Sequence, residues 1–430
     1  MAKLKIENNL LKGSVKIPPS KSMAHRGIIC ASLAAGKSKI ENIDYSDDII
    51  ATINGMRAIG AEIEQYDDYV IIEGIAGKKD SSEERLIDCN ESGSTLRFLI
   101  PISLLVKGSK TFIGRGNLGK RPLNPYYEIF DQDGVSYSYE DDVLNLKVEG
   151  ELKGGEYHVK GNVSSQFISG LLFTLPLLKH DSKLIITTEM ESKGYIDLTL
   201  AAIRKFGIEI INNNYQEFII RGNQQYTAGQ YRVEGDYSQA AFYLVADAIG
   251  SNVAVNDVLL DSAQGDKEVL DILERMGVEF TTDNNSITAK APEKLKNTII
   301  DAAQCPDIIP VLSVAASLAQ GTTEIINAER LRIKECDRLK AVATELAKLG
   351  ADIKEKEDGL IINGVSQLEG GTEVWSWQDH RIAMTLAIAA TKCKKPVIIK
   401  DCECVSKSYP KFYEDFNSLG GVSYEWNMGE

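Results

Sequence analysis

The chain has 430 residues, 43% hydrophobic and 26% charged, with a formal net charge of -14. That balance suits a globular protein and excludes a nucleic-acid partner, whose binding needs an excess of Lys and Arg; the length exceeds one ordinary hydrophobic core and predicts two domains. No run approaches the ~20 apolar residues of a membrane span, residues 1–5 carry no apolar leader pattern, and the seven scattered cysteines read as reduced thiols, so a cytoplasmic protein without a membrane partner is expected.

The predicted elements repeat along the chain. Six helices end in a glycine followed by a short strand, at Gly60, Gly134, Gly207, Gly277, Gly350 and Gly421, spaced 70 to 74 residues apart. A fixed period of this kind marks a repeat architecture, and six units divide most simply as three in each of two domains. The first unit shows the physics. Ser46 or Asp47 caps a helix start, Ile49, Ile50, Ile53, Met56 and Ile59 form an apolar stripe, and Gly60 supplies the left-handed residue that ends it. The stripe recurs as Val269, Ile272, Leu273, Met276 and as Leu339, Val342, Leu346, Leu349. The charged run from Lys78 to Arg85 is expected to be a solvated loop.

A polar turn stands 39 to 43 residues before each glycine and opens an earlier helix. The turns are Pro19-Ser20-Lys21-Ser22, Glu91-Ser92-Gly93-Ser94-Thr95, Val163-Ser164-Ser165-Gln166, Gly235-Asp236-Tyr237-Ser238, Cys305-Pro306-Asp307 and Gln378-Asp379-His380-Arg381. Each follows a short strand, so each unit reads strand–helix–strand–helix–strand. Lys21, Arg26, Arg97 and Arg381 lie just inside these first helices, and Arg121, Lys334, Arg338 and Lys407 lie at the starts of the second ones. Cations there oppose the helix dipole, so local helix stability does not account for them. A single such cation is best read as the partner of a nearby acid. Eight at two fixed phases of a repeat point to a bound polyanion.

Other motifs carry less. Gly36-Lys37-Ser38 lacks the first glycine of a phosphate-binding loop, because position 31 is Ala31. His25, His158 and His180 show no metal-ligand spacing, and Cys402-x-Cys404 lacks a second ligand pair, so no metal is expected. Trp375 and Trp377 alternate on a strand and read as structural, whereas His380, between Asp379 and Arg381 at a helix start, reads as functional.

These turns resemble those of the enolpyruvyl transferases over the whole chain. The matching pieces are Pro-Ser-Lys-Ser-Met-Ala-His-Arg at 19–26, Ser-Gly-Ser-Thr-Leu-Arg at 92–97, Gly-Lys-Arg-Pro at 119–122 and Val-Ser-Ser-Gln at 163–166. Pro-Asp at 306–307, Arg-Ile-Lys-Glu-Cys-Asp-Arg-Leu at 332–339, Asp-His-Arg at 379–381 and Ser-Lys-Ser-Tyr-Pro at 406–410 follow in family order. The resemblance implies a two-domain inside-out α/β barrel, each domain built of three βαβαββ repeats, with the active site in the interdomain cleft. The lobes would be 21–232 and 1–20 plus 233–430. They would close on ligand about hinges near 18–21 and 231–236.

Within the family the motifs are closest to members that move the enolpyruvyl group of phosphoenolpyruvate to the 5-hydroxyl of shikimate 3-phosphate. By that resemblance Lys21, Ser22, Arg26, Ser164, Ser165, Gln166, Ser192, Tyr195, Asp307 and Lys334 would bind shikimate 3-phosphate. Lys21, Gly93, Arg121, Gln166, Arg338, Arg381 and Lys407 would bind phosphoenolpyruvate. Asp307 would be the base and Glu335 the acid, with Lys21 or His380 assisting proton movement. Surrounding cations should keep Asp307 ionised, while a proton on Glu335 would require burial or substrate charge. The resemblance implies no cofactor, small-molecule substrates as the only partners, and a monomer.

Two positions depart from the family pattern: Glu91, where members often have Asn, and Phe167, where some have a polar or basic residue. The related UDP-N-acetylglucosamine enolpyruvyl transferases typically carry a catalytic Cys in the loop matching 111–121, which here holds none, and Lys-Asn where this chain has Lys21-Ser22. A non-catalytic repeat protein that binds an anionic metabolite is the remaining alternative. Carboxylates placed among the cations disfavour it.

Overall fold

The computed structural model describes residues 2–76, 84–140, 142–283 and 285–426, so most of the charged run from Lys78 lies outside the described residues. The chain forms two compact units, Pro19–Val233 and Met1–Pro18 with Glu234–Glu430. No helix among the described residues is long and apolar enough to cross a membrane.

In Pro19–Val233 the helices are α1 (Lys21–Leu33), α2 (Asp47–Ile59), α3 (Gly93–Ser103), α4 (Asn124–Asp133), α5 (Ser165–Thr174) and α6 (Lys193–Lys205). Helices α1, α3 and α5 bury nearly every residue, as apolar-all-round sequences such as Leu96-Arg97-Phe98-Leu99-Ile100 require. Helices α2, α4 and α6 bury one face. The second unit repeats this with α7 (Tyr237–Ala248), α8 (Glu268–Arg275), α9 (Ile309–Ser317), α10 (Arg338–Lys348), α11 (His380–Ala390) and α12 (Phe412–Ser418). There α7, α9 and α11 are buried against one another. Helices are central in each unit and sheets lie outside, as the inside-out architecture requires.

Each repeat closes a four-stranded sheet with one strand order. Arg85–Asp88 runs parallel to Lys110–Ile113, which pairs antiparallel with Val143–Glu149, whose other edge takes Ser136–Glu140. The order recurs in six sheets.

Two first strands pair away from the helix that each precedes in its repeat. Lys12–Lys16, just before α1, pairs in parallel with Asn252–Asn256. Gln230–Arg232, just before α7, pairs in parallel with Lys37–Glu41. The chain leaves one unit between Pro18 and Pro19 and returns after Val233, and each strand stays with the unit that precedes the crossing. Lys3–Ile6 likewise fills the sixth sheet, between Val397–Lys400 and Ser423–Glu425.

The helix-ending glycines 60, 134, 207, 277 and 350 all have left-handed φ, from 75° to 124°. In the sixth repeat that role falls to Gly420 at φ 86° rather than to Gly421. Helix α12 stops at Ser418, and a Cβ on Gly421 would meet the Phe416 ring at 2.3 Å, so Gly421 answers to packing instead. Ser46 stands at the α2 N-cap without a capping hydrogen bond, and Asp47 and Asp48 in the first turn complement the helix dipole.

Candidate functional site

In Pro19–Val233 a polar network links the helix starts. Lys21, at the first position of α1, pairs with Asp48 of α2 at 2.8 Å. Arg26, one turn further, donates to Thr199 Oγ1 at 2.8 Å, to the Ser22 carbonyl at 2.7 Å and to the Tyr195 carbonyl at 2.9 Å, and its guanidinium lies over Phe98. Burial lowers the Arg26 pKa to about 10, so neutral oxygens and a ring face hold a cation that is almost without water. Ser192 stands at the α6 N-cap position in the left-handed conformation, φ 54°, without a side-chain capping bond, and is buried one turn before Tyr195.

The starts of α3 and α5 meet. Ser92 and Ser164 cap them, accepting from Thr95 N at 3.1 Å and Gln166 N at 3.3 Å, and Ser165 is the first residue of α5. Arg97 donates to Gln166 Oε1 at 2.8 Å, and Gln166 Nε2 donates to Ser94 Oγ at 2.9 Å. Arg121 reaches the same place: a Cβ on Gly93 would stand 2.5 Å from its NH1 and 3.6 Å from Gln166 Oε1. The missing side chain at Gly93 is what lets the arginines close over the α3 start. His25 is a packed histidine at 2.7 Å from Thr52, kept neutral by burial and by Lys21 and Arg26. Glu91 turns toward the loop before Arg121, where a Cβ on Gly116 would fall 2.8 Å from its Oε2. Phe167 is buried beneath Arg97, 5.0 Å from the guanidinium, which gives the apolar residue a local reason.

The second unit concentrates charge on Asp307. Its Oδ1 accepts from Arg338 NH1 at 2.9 Å and from Lys334 Nζ at 3.4 Å, and its Oδ2 accepts from Arg381 NH2 at 3.1 Å. Arg338 also reaches Glu335 at 2.6 Å and Asp379 at 2.8 Å. Burial opposes the Arg338 charge, but Asp379, Glu335 and Asp307 outweigh it and raise its pKa. Burial lowers the pKa of Lys334, with Asp307 pulling the other way. Asp379 caps α11 by accepting from Arg381 N at 2.8 Å, and His380 is buried beside it, Nδ1 to Oδ1 4.0 Å. Lys407 donates to the Gln378 carbonyl at 2.8 Å, and Trp377 and Gln378, both at φ 55°, turn the backbone that presents it. Trp375 and Trp377 stack 4.9 Å apart and donate to Asp401 and Glu345, a structural arrangement.

Each unit thus gathers most of its own sequence-selected residues. Gly93, Arg121 and Gln166 come together in one; Asp307, Lys334, Glu335, Arg338 and Arg381 come together in the other. Sequence reasoning missed the acids that hold the cations, Asp48 and Asp379, and the pairing of Arg97 with Gln166. Asp379 had a usable signal, an acid at a helix N-cap inside a quoted motif. The partners of Lys21 and Arg97 lie 27 and 69 residues away and gave none.

Comparison with known proteins decides the family. The model for EPSP synthase (3-phosphoshikimate 1-carboxyvinyltransferase) matches residues 6–416. The chain belongs to the EPSP synthase family. It is 64% identical to the 3-phosphoshikimate 1-carboxyvinyltransferase of Clostridium beijerinckii and 63% identical to that of Clostridioides difficile, each match covering 100% of both chains. The EPSP synthase structure from Acinetobacter baumannii superposes with a TM-score of 0.83 at 26% identity, over 99% of this chain and 100% of that one. The six-sheet architecture is therefore the EPSP synthase fold.

Proposed function

We propose that this chain carries out its EPSP synthase activity with the residues selected above, moving the enolpyruvyl group of phosphoenolpyruvate to the 5-hydroxyl of shikimate 3-phosphate and releasing phosphate. Lys21, Ser22, Arg26, Ser164, Ser165, Gln166, Ser192, Tyr195, Asp307 and Lys334 are assigned to shikimate 3-phosphate. Lys21, Gly93, Arg121, Gln166, Arg338, Arg381 and Lys407 are assigned to phosphoenolpyruvate. The observation that carries this reading is Asp307, an acceptor for three cations, with Glu335 on the same Arg338 guanidinium.

Asp307 takes the 5-hydroxyl proton as the oxygen attacks C2 of phosphoenolpyruvate, and Glu335 protonates the methylene carbon. The tetrahedral product carries both substrates' charges, which the fixed arginines and lysines stabilise without rearranging. Loss of a methyl proton then expels phosphate and restores the double bond. Lys21 or His380 assists proton movement. Arginine suits the carboxylate and phosphate of phosphoenolpyruvate because its planar fork donates in pairs.

The same reading makes the protein a cytoplasmic monomer acting on small molecules; its seven free, buried thiols suit a reducing compartment. Phosphate release from phosphoenolpyruvate tests the activity. It is expected only when shikimate 3-phosphate is added. Release driven by UDP-N-acetylglucosamine instead would overturn the assignment.

A further inference from the structure

Glu345 is a buried carboxylate that the assigned chemistry does not use. It lies on α10, two turns after Arg338, and is 1% exposed. Such a charge is costly to bury unless donors surround it. Its Oε1 accepts from the Trp377 indole Nε1 at 2.9 Å, and its Oε2 accepts from Trp375 N at 3.0 Å. Lys348 Nζ reaches the same two oxygens at 3.0 and 2.8 Å. Trp375 and Trp377 belong to one short stretch, which runs from the strand Glu373–Trp375 to the start of α11.

That stretch is strained. Trp377 and Gln378 both hold φ 55°. A left-handed backbone is uncommon outside glycine and a genuine outlier for so bulky a side chain, so its surroundings must impose it. On one side the turn is closed by Gln378 N, which donates to Ser376 Oγ at 3.1 Å, and by Asp379 N, which donates to the Ser376 carbonyl at 3.0 Å. On the other, the Trp377 side chain is anchored by its bond to Glu345 and its stack on Trp375. The turn delivers the Gln378 carbonyl, which accepts from Lys407 Nζ at 2.8 Å. The Gln378 side chain is exposed, so the carbonyl is the group being placed. Joining the strand to α10 would need only the Trp375 amide. The indole bond lies beyond the strand and acts on the strained residue itself.

We propose that Glu345 is a positioning residue for phosphoenolpyruvate binding: by holding the Trp377 indole it keeps the Trp377–Gln378 turn left-handed, and the Gln378 carbonyl then orients the Lys407 ammonium. The inference rests on the assignment of Lys407 made above. Glutamine is not equivalent at position 345. It offers one acceptor oxygen where the carboxylate offers two, and its N–H2 would face a second donor.

Steady-state kinetics of the full chain test this with Glu345→Gln, Trp377→Phe, the double variant and Lys348→Met. In Glu345→Gln, and in Trp377→Phe, which keeps a ring but removes the N–H, KM for phosphoenolpyruvate should rise about fivefold or more. KM for shikimate 3-phosphate should change far less. In the double variant the rise should be smaller than the product of the two single effects, because both remove the same bond. Lys348→Met takes a 43%-exposed ammonium from the same carboxylate without touching the turn, and should leave both constants near wild type. Should Glu345→Gln not fold, Trp377→Phe carries the same test. A wild-type KM for phosphoenolpyruvate in the single variants, with Lys407→Ala raising it, would overturn this proposal and leave the Lys407 assignment standing. So would fully multiplicative effects in the double variant, or a loss shared equally by both substrates together with a lowered Tm, which is what a merely structural role gives. A wild-type KM for phosphoenolpyruvate in Lys407→Ala would overturn the Lys407 assignment itself, and this inference with it.

Discussion

Arg338 and Asp379 form an ion pair closed to solvent, Nε to Oδ2 at 2.8 Å, with 1% and 0% of their side chains exposed. Asp379 is also the cap that receives the Arg381 backbone N–H, so one carboxylate ties α10 to α11 and sets two of the arginines assigned to phosphoenolpyruvate. Removing one member of such a pair strands the other charge in a dry site, at a cost of about 3–5 kcal/mol. Asp379→Asn should lower the unfolding free energy by that order and raise KM for phosphoenolpyruvate. A urea titration reading wild-type stability would show that the pair does not hold the unit together.

Asp307 and Glu335 share Arg338 but are given opposite work, one removing a proton and the other supplying one. Asp307→Asn and Glu335→Gln should each lower kcat by roughly 10²-fold or more, because each removes a proton-transfer group. Shikimate 3-phosphate binding, read by calorimetry, should survive in both. Turnover near the wild-type rate in either variant would remove that residue from the mechanism.

Gly93 makes a steric prediction. A Cβ there would lie 2.5 Å from Arg121 NH1 and 3.3 Å from Arg97 NH1, so both flexible ends must retreat. Gly93→Ala should raise KM for phosphoenolpyruvate by about tenfold, since small displacements of a positioning group are costly, and should leave KM for shikimate 3-phosphate close to wild type. Equal changes in both constants would mean that Gly93 does not belong to the phosphoenolpyruvate set.

The repeat was legible in the sequence because its signal is local. A left-handed glycine, an apolar stripe and a cap lie within a few turns of one another, and five of the six glycines were found at their residue. The sixth slipped from Gly420 to Gly421 because two adjacent glycines look alike until the helix end and the Phe416 contact are known. Strand ownership was not legible in the strands themselves: nothing in Lys12–Lys16 distinguishes pairing with Asn252–Asn256 from pairing with Lys37–Glu41, and only the family resemblance put residues 1–20 with 233–430. The cations were legible as a pattern, yet their partners were not: Arg26 answers to Thr199, 173 residues away.

Asp247 gives stability a pH dependence of stated sign. It is fully buried near the end of α7, where it accepts from Val253 N at 2.8 Å and Ala289 N at 3.4 Å. Burial raises its pKa from 3.8 to about 7, against those two bonds. The folded chain therefore binds a proton that the unfolded chain releases, so this group favours folding at acid pH and loses that contribution as pH rises through about 7. Asp247→Asn cannot ionise, so wild-type stability should fall relative to the variant between pH 3.8 and about 7. Denaturation midpoints that run parallel over that window would contradict the buried titration.

The N-terminal strand offers the sharpest test of how the chain is wired. Ile6 is fully buried in the core of the Met1–Pro18 and Glu234–Glu430 unit, on a strand between Val397–Lys400 and Ser423–Glu425. By chain order it lies next to the other unit, which begins at Pro19. All three tryptophans, Trp375, Trp377 and Trp426, belong to the unit that holds Ile6, so tryptophan fluorescence reports the unfolding of that unit. Truncating a buried isoleucine to alanine costs about 2–5 kcal/mol through lost contacts and the cavity left behind. Ile6→Ala should lower the unfolding free energy read from the fluorescence-detected transition by an amount of that order. Ile53→Ala, equally buried but in the core of Pro19–Val233, should act first on the part of the circular-dichroism change that tryptophan does not report. A fluorescence transition that Ile53→Ala moves and Ile6→Ala leaves in place would place the first strand in the wrong unit.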